Sequence, residues 1–206
     1  VDPVTPTPDP AAGVRRRNLA AVLGLVHRGD ALTRADLTAR TGLNRSTVGD
    51  LVGELVRLGL LVESPGEPQR RVGRPSPAVR VAEQPVVVAI NPETDAITAG
   101  LVGLGGRVQR RVRRVVDAPP DPAEALAIAV ELVAGLVAAA PRDRRVIGIG
   151  LAIPGLVRAS DGLVRLAPHL GWRDEPFAAA IAEATGLPAS AANDASLGAL
   201  AERRFG

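Results

Sequence analysis

The 206-residue chain is 46% hydrophobic and 23% charged, enough apolar material for a buried core in one large domain or two small ones. It contains no Cys and no Lys, which excludes thiol nucleophiles, disulfides, Cys-ligated zinc, Walker-type phosphate loops and Schiff-base enzymes. The net charge of +3 is uneven: residues 1–82 hold 12 Arg against 8 acids, and residues 83–206 hold 13 Arg against 14. A basic amino-terminal part points to an anionic partner there.

Val1–Gly13 has four Pro in its first ten residues and reads as a disordered leader, residues 1–13. Arg15-Arg16-Arg17 before Asn18–Val26 imitates a signal peptide. Leu19, Val22, Leu23 and Val26 nevertheless fall on one helical face, and no small-residue cleavage site follows, so a soluble helix over about 14–28 is expected. Thr33-Arg34-Ala35-Asp36 is a capping-box pattern that opens a short second helix ending near Thr41-Gly42. Asn44 caps a third helix, with Val48, Leu51, Val52, Leu55 and Leu58 on one face and Gly59 closing it.

Leu60-Leu61-Val62 reads as a strand, Ser64–Pro77 as a Pro/Gly/Arg loop, and Ala78–Val81 as a second strand. Three helices followed by two strands around an Arg-rich loop describe a winged helix-turn-helix over residues 14–82. The short polar and cationic residues that open the third helix, Asn44, Arg45, Ser46 and Thr47, suit a DNA groove. Arg45 reads guanine edges or holds phosphate. Arg70, Arg71 and Arg74 of the wing suit a narrow minor groove. Arg34 joins the candidate DNA contacts. The bland alternative is an ordinary three-helix domain with a solvated Arg loop.

A new unit starts near Pro85. Val86–Ile90, Ala96–Val102 and Arg107–Val116 read as consecutive strands, with Gly105-Gly106 at the second hairpin turn. Asp121–Ala140 reads as a helix in which Glu124 and Glu131 interrupt the apolar run too much for a membrane span. Val146–Ile153 is an apolar run of buried-strand type. A helix over about 176–185, a strand near Ala189–Ala192 and a helix over Ala195–Arg204 follow. Arg110, Arg111, Arg113 and Arg114 read as charge protection of an exposed sheet edge rather than as a second DNA site.

The residues Leu32–Leu37, Thr41–Val48, Leu58-Gly59-Leu60 and Gly73-Arg74-Pro75 resemble the DNA-binding domain of the ROK family (repressors, open reading frames and kinases). Gly49 departs from the Ser of many relatives. Ile153-Pro154-Gly155, Ala167–Trp172 and Asn193-Asp194-Ala195 resemble the sugar-binding first lobe of the ROK sugar-kinase fold. Taken alone, Asn193-Asp194 reads first as a helix cap.

The resemblance implies an α+β chain of two domains, a winged helix-turn-helix followed over 85–206 by a ribonuclease-H-like (actin-like ATPase) first lobe with a mixed sheet. It implies sugar contacts at Gly155, Asn193 and Asp194, with Asp194 at the position of the kinase base. His169 stands where many relatives have Asn. The first phosphate motif of the kinases is broken at Ala89–Asp95, where Asn91 replaces the Asp. The chain stops about where the zinc segment and second lobe would follow, and so reads as truncated.

The expected function is a cytoplasmic, sugar-responsive transcriptional regulator, a repressor. Double-stranded DNA is its partner, a sugar or sugar phosphate its effector, and it needs no cofactor or metal. Any full-length form is expected to be a homo-oligomer. The alternatives are an ATP-dependent ROK sugar kinase with a fused DNA-binding domain and a constitutive DNA-binding fragment.

Overall fold

The computed structural model describes residues 10–28, 31–64 and 77–206. They form two compact units, divided between Ala82 and Glu83.

In the first unit, α1 (Pro10–His27) starts within the expected leader. Pro is tolerated in a first helical turn because its missing N–H has no partner there, and two Ala follow it. A two-residue strand β1 (Leu32–Thr33), too short to leave a periodic signal, precedes α2 (Arg34–Thr41). Then come α3 (Arg45–Arg57), β2 (Leu61–Ser64) and β3 (Ala78–Val81). The strands form an antiparallel sheet in the order β1-β3-β2. Val22, Val26, Leu37, Val48, Leu51, Val52, Leu55, Leu61 and Val79 make the core.

Leu58, expected on the buried face of α3, is 51% exposed. The helix ends at Arg57, so Leu58 sits on the cap, past the last turn of the buried face.

The start of α2 is held by a reciprocal capping box. The Asp36 amide donates to Thr33 Oγ1 at 3.1 Å, and the Thr33 amide donates to Asp36 Oδ2 at 2.8 Å. The Thr33 hydroxyl, which donates to Asp36 Oδ2 at 2.7 Å, foremost, and the Thr33 amide second, hold the Asp36 carboxyl below its ordinary value of 3.8. A depressed folded-state pKa gives stability that is complete above the unfolded value and lost as pH falls through the folded one. The urea midpoint of the helical signal should therefore drop below about pH 4, and the gap between parent and Asp36→Ala should close over that range. A gap that stays constant with pH would refute the assignment.

The second unit is built on a mixed sheet. β4 (Pro85–Pro92), β5 (Ala96–Gly103) and β6 (Val108–Val115) form an antiparallel meander, followed by α4 (Pro122–Ala139) and β7 (Arg145–Ile153). A small antiparallel sheet follows, of β8 (Leu156–Val157), β9 (Val164–Ala167) and β10 (Trp172–Glu175), with a 3-10 turn over Pro168–Leu170. None of its strands exceeds four residues, too short to leave a periodic signal in the sequence. α5 (Phe177–Thr185), β11 (Ala189–Asn193) and α6 (Asp194–Phe205) complete the unit.

The main sheet has the order β11-β7-β4-β5-β6, with β7 parallel to both β4 and β11. β6 is an edge strand, and Arg110, Arg111, Arg113 and Arg114 are all exposed along it. Arg113 pairs with Asp95 at 2.6 Å and Arg114 with Glu131 at 3.3 Å.

α4 departs from expectation in one respect. Despite Glu124 and Glu131 it is long and apolar enough, by length and composition, to cross a membrane. Its Ala125, Ala129, Leu132, Val133 and Leu136 are buried in the core that it shares with the sheet and α5.

Candidate functional site

Two places in the fold gather the candidate residues. The first is the amino-terminal end of α3. Thr41 Oγ1 donates to the Leu37 carbonyl, and Gly42 turns the chain in the left-handed region at φ 71°, so α2 stops and α3 can leave at an angle. Asn44 Oδ1 accepts from the Thr47 amide and from Ser46 Oγ, both at 2.8 Å. Asn44 and Ser46 are therefore committed to the cap. Arg45 is exposed, and its guanidinium has no partner among the described residues. It stands beside the uncapped first amides of α3, where the helix dipole also favours an anion.

Arg34 is placed differently. Its Nε and Nη2 donate to Glu63 Oε1 and Oε2, each at 2.8 Å, in a two-pronged pair that joins α2 to β2. Arg34 also lies against α3: a Cβ on Gly49 would sit 3.6 Å from its Nη1. It is a neutralised strut rather than a free cation. No sequence signal links residues 29 positions apart. The wing residues Arg70, Arg71 and Arg74 lie outside the described residues.

The second place is the carboxyl end of the parallel strands β4, β7 and β11, where open α/β sheets bind ligands. β7 ends at Ile153 beside Asn193, the last residue of β11. Asn193 caps α6 by accepting from the Ser196 amide at 2.9 Å. Its Nδ2 donates to the Gly155 carbonyl at 2.9 Å and to Asp194 Oδ1 at 3.2 Å. Asp194 Oδ1 also accepts from the Ala195 amide at 2.7 Å, leaving Oδ2 as the carboxylate oxygen with no partner among the described residues. Asn193 thus positions the Gly155 loop and Asp194 relative to each other. Asn91 lies in β4 opposite Thr98 of β5, and its Oδ1 is buried without a hydrogen bond.

Gly155 has a packing reason of its own. A Cβ there would meet the Leu166 carbonyl oxygen at 2.3 Å and Ala167 Cα at 2.8 Å. The group that approaches it closely is β9 of the same chain. Gly155→Ala should therefore destabilise the second unit by about 1–3 kcal/mol or more, because backbone must move to make room. Urea unfolding measures this, and an unchanged midpoint would show that the loop yields freely.

His169 is exposed in the 3-10 turn, whereas Trp172 is buried. Among the described residues no group of three His, Asp or Glu is placed to hold a metal ion.

Comparison with known proteins agrees with both units. The MarR family model matches residues 16–72. The xylose repressor of Caldicellulosiruptor bescii is 28% identical over 196 residues, 94% of this chain and 49% of that protein. A transcriptional regulator of Mycobacterium tuberculosis is 32% identical over 195 residues, 90% of this chain and 43% of its own length. Among solved structures, a ROK family transcriptional regulator described as a homologue of the E. coli MLC protein aligns with a TM-score of 0.74 and 26% identity, covering 93% of this chain and 49% of that one. A ROK family glucokinase from Streptomyces griseus, solved with glucose and AMPPNP, aligns with a TM-score of 0.50 and 28% identity, over 59% of this chain and 37% of its own.

The chain spans about half the length of the curated relatives it matches. The ROK family model itself matches residues 87–206, more than half of the chain, and the protein belongs to the ROK family.

Proposed function

We propose that this chain is the DNA-binding and first-lobe part of a sugar-responsive transcriptional repressor that acts in the cytoplasm. The observation that carries the reading is the winged unit with an exposed Arg45, unpartnered among the described residues, at the start of α3 just after its Asn44 cap. Arg45 makes the first DNA contact, and Asn44, Ser46 and Thr47 line the same helix start. Arg34 contributes by bracing α2 against β2, and Arg70, Arg71 and Arg74 of the wing add phosphate or minor-groove contacts. Two of the relatives above are named as regulators of transcription and one as a repressor for xylose, which supports both the sign of regulation and a monosaccharide effector.

The effector would sit at the carboxyl ends of β7 and β11, with Asp194 Oδ2 accepting from sugar hydroxyls and Asn193 and Gly155 shaping the loop. Ligand would favour an arrangement with different DNA affinity, so that sugar and DNA affinities are linked. Fluorescence anisotropy tests this: a labelled duplex bound by the chain is titrated with xylose, glucose and amino sugars. Release by one sugar that is abolished by Asp194→Ala is expected of a working sensor. Duplex binding that ignores every sugar would leave DNA binding standing and remove the sensor.

A second reading, an ATP-dependent sugar kinase, draws on Asp194, a carboxylate with one oxygen unpartnered among the described residues at the carboxyl end of the parallel strands of the mixed sheet. Asn91 argues against it, because an amide cannot replace the carboxylate that positions metal–nucleotide. No sugar-dependent ADP release is expected from this chain. Release that vanishes with Asp194→Ala would reverse the choice.

A further inference from the structure

A groove of about 760 Å³ lies at the amino-terminal end of β7, whereas the Asn193–Gly155 contact stands at the carboxyl end of that strand. It is lined by the second half of α4, the residues that lead into β7, and the end of α5 with Leu187. Val130, Val133, Val137, Val146 and Leu187 make the lining aliphatic. Val137 is 43% exposed, so part of this apolar surface faces water.

The polar side chains in the lining are Thr185, Arg142, Arg144 and Arg145. Thr185 Oγ1 donates to the Ile181 carbonyl at 2.6 Å, so its proton is spent on α5. Arg144 pairs with Glu83 and Asp143 at 2.9 and 3.0 Å, yet its Nε is buried without a hydrogen bond. Arg142 and Arg145 are exposed and have no partner among the described residues. Every side-chain donor left over is therefore a guanidinium, and no carboxylate lines the groove.

We infer that the groove binds a small amphiphilic anion, an aliphatic carboxylate whose chain lies against α4 and whose head group pairs with Arg142 and Arg145. Its volume falls within the range of about 300–1,000 Å³ typical of small-molecule sites, which are mostly apolar with a few placed polar groups. A guanidinium grips a carboxylate through two parallel N–H···O bonds, and withdrawing the chain from water adds the hydrophobic contribution. A sugar fits poorly, because its hydroxyls would lie against Val and Ala side chains without partners. A cationic amphiphile would meet three Arg. The site is thus chemically unlike the one around Asp194 and lies at the other end of the sheet.

The inference rests on the second unit alone and stands apart from DNA and sugar binding, so either can fail without the other. Titration calorimetry of the 206-residue chain with decanoate, below the concentration at which it forms micelles, is the test. Saturable binding is expected. Affinity should rise from hexanoate through octanoate to decanoate, by up to about fourfold per methylene. Acetate, the head group alone, and decyltrimethylammonium, the same chain with the opposite charge, should not bind. Arg142→Glu and Arg145→Glu should each weaken decanoate binding about tenfold or more. Ala138→Trp, at an exposed position in the lining, should fill the groove and abolish binding. Circular dichroism on every variant checks that the fold is kept. No saturable binding, equal binding of the cationic amphiphile, indifference to Ala138→Trp, or binding to phosphatidylglycerol vesicles but not to free decanoate overturns the proposal.

Discussion

Arg45→Ala should weaken binding of the chain to duplex DNA by about 1–3 kcal/mol, the usual loss for one specific Arg contact. The guanidinium is exposed and unpartnered at the start of α3, so its removal costs the fold little and the interface much. Affinity of the parent should fall steeply with salt, because each phosphate neutralised releases counterions. If Arg45 holds phosphate, the variant's dependence should be shallower by about one in slope, and the loss should be uniform across sequences. If it reads a base edge, the slope should hold and discrimination at one position should relax.

Arg34→Ala serves as the contrasting case. Its charge is already matched by Glu63, so the salt slope should be nearly that of the parent while stability falls. Anisotropy at several salt concentrations measures all three proteins. A parent chain that binds no duplex at low salt would end the DNA reading.

Trp172→Ala should cost about 3–5 kcal/mol, the range for truncating a buried large aromatic residue. Trp172 is 1% exposed, and its ring centroid lies 4.8 Å from that of Phe177. Its Nε1 donates to the Pro120 carbonyl at 3.0 Å, tying β10 to the chain just before α4. The truncation opens a cavity and also leaves a carbonyl in the core without its donor. Trp172→Phe keeps most of the apolar contact and should recover a large part of the loss. Urea unfolding followed by circular dichroism reads the difference. A Trp172→Ala chain within about 1 kcal/mol of the parent would show that this ring is not a keystone of the unit.

The helix-turn-helix was legible because its signals are local. The capping box of Thr33 and Asp36, the Asn44 cap and the α3 apolar face each lie within a few residues, and the structure has all three. The long main-sheet strands β4, β5 and β7 were legible because they are apolar, and the Arg-rich edge because its paired Arg put charge on both faces of β6. Asn193-Asp194 was legible as a strand-to-helix junction, and it is one.

By itself, then, the sequence determined the order and type of the long elements, the caps that start the helices and the absence of thiol and lysine chemistry, since each depends on residue type or on periodicity over one or two turns. Only the tertiary structure decided the roles of the side chains. Arg34 became a strut because Glu63, 29 positions away, lies on a neighbouring strand. Asn193 became an organiser because its amide reaches the Gly155 carbonyl, 38 positions away, and Gly155 proved necessary because β9 presses on it. Such pairings are set by how chain segments pack, and contacts between distant positions impose no period on either segment.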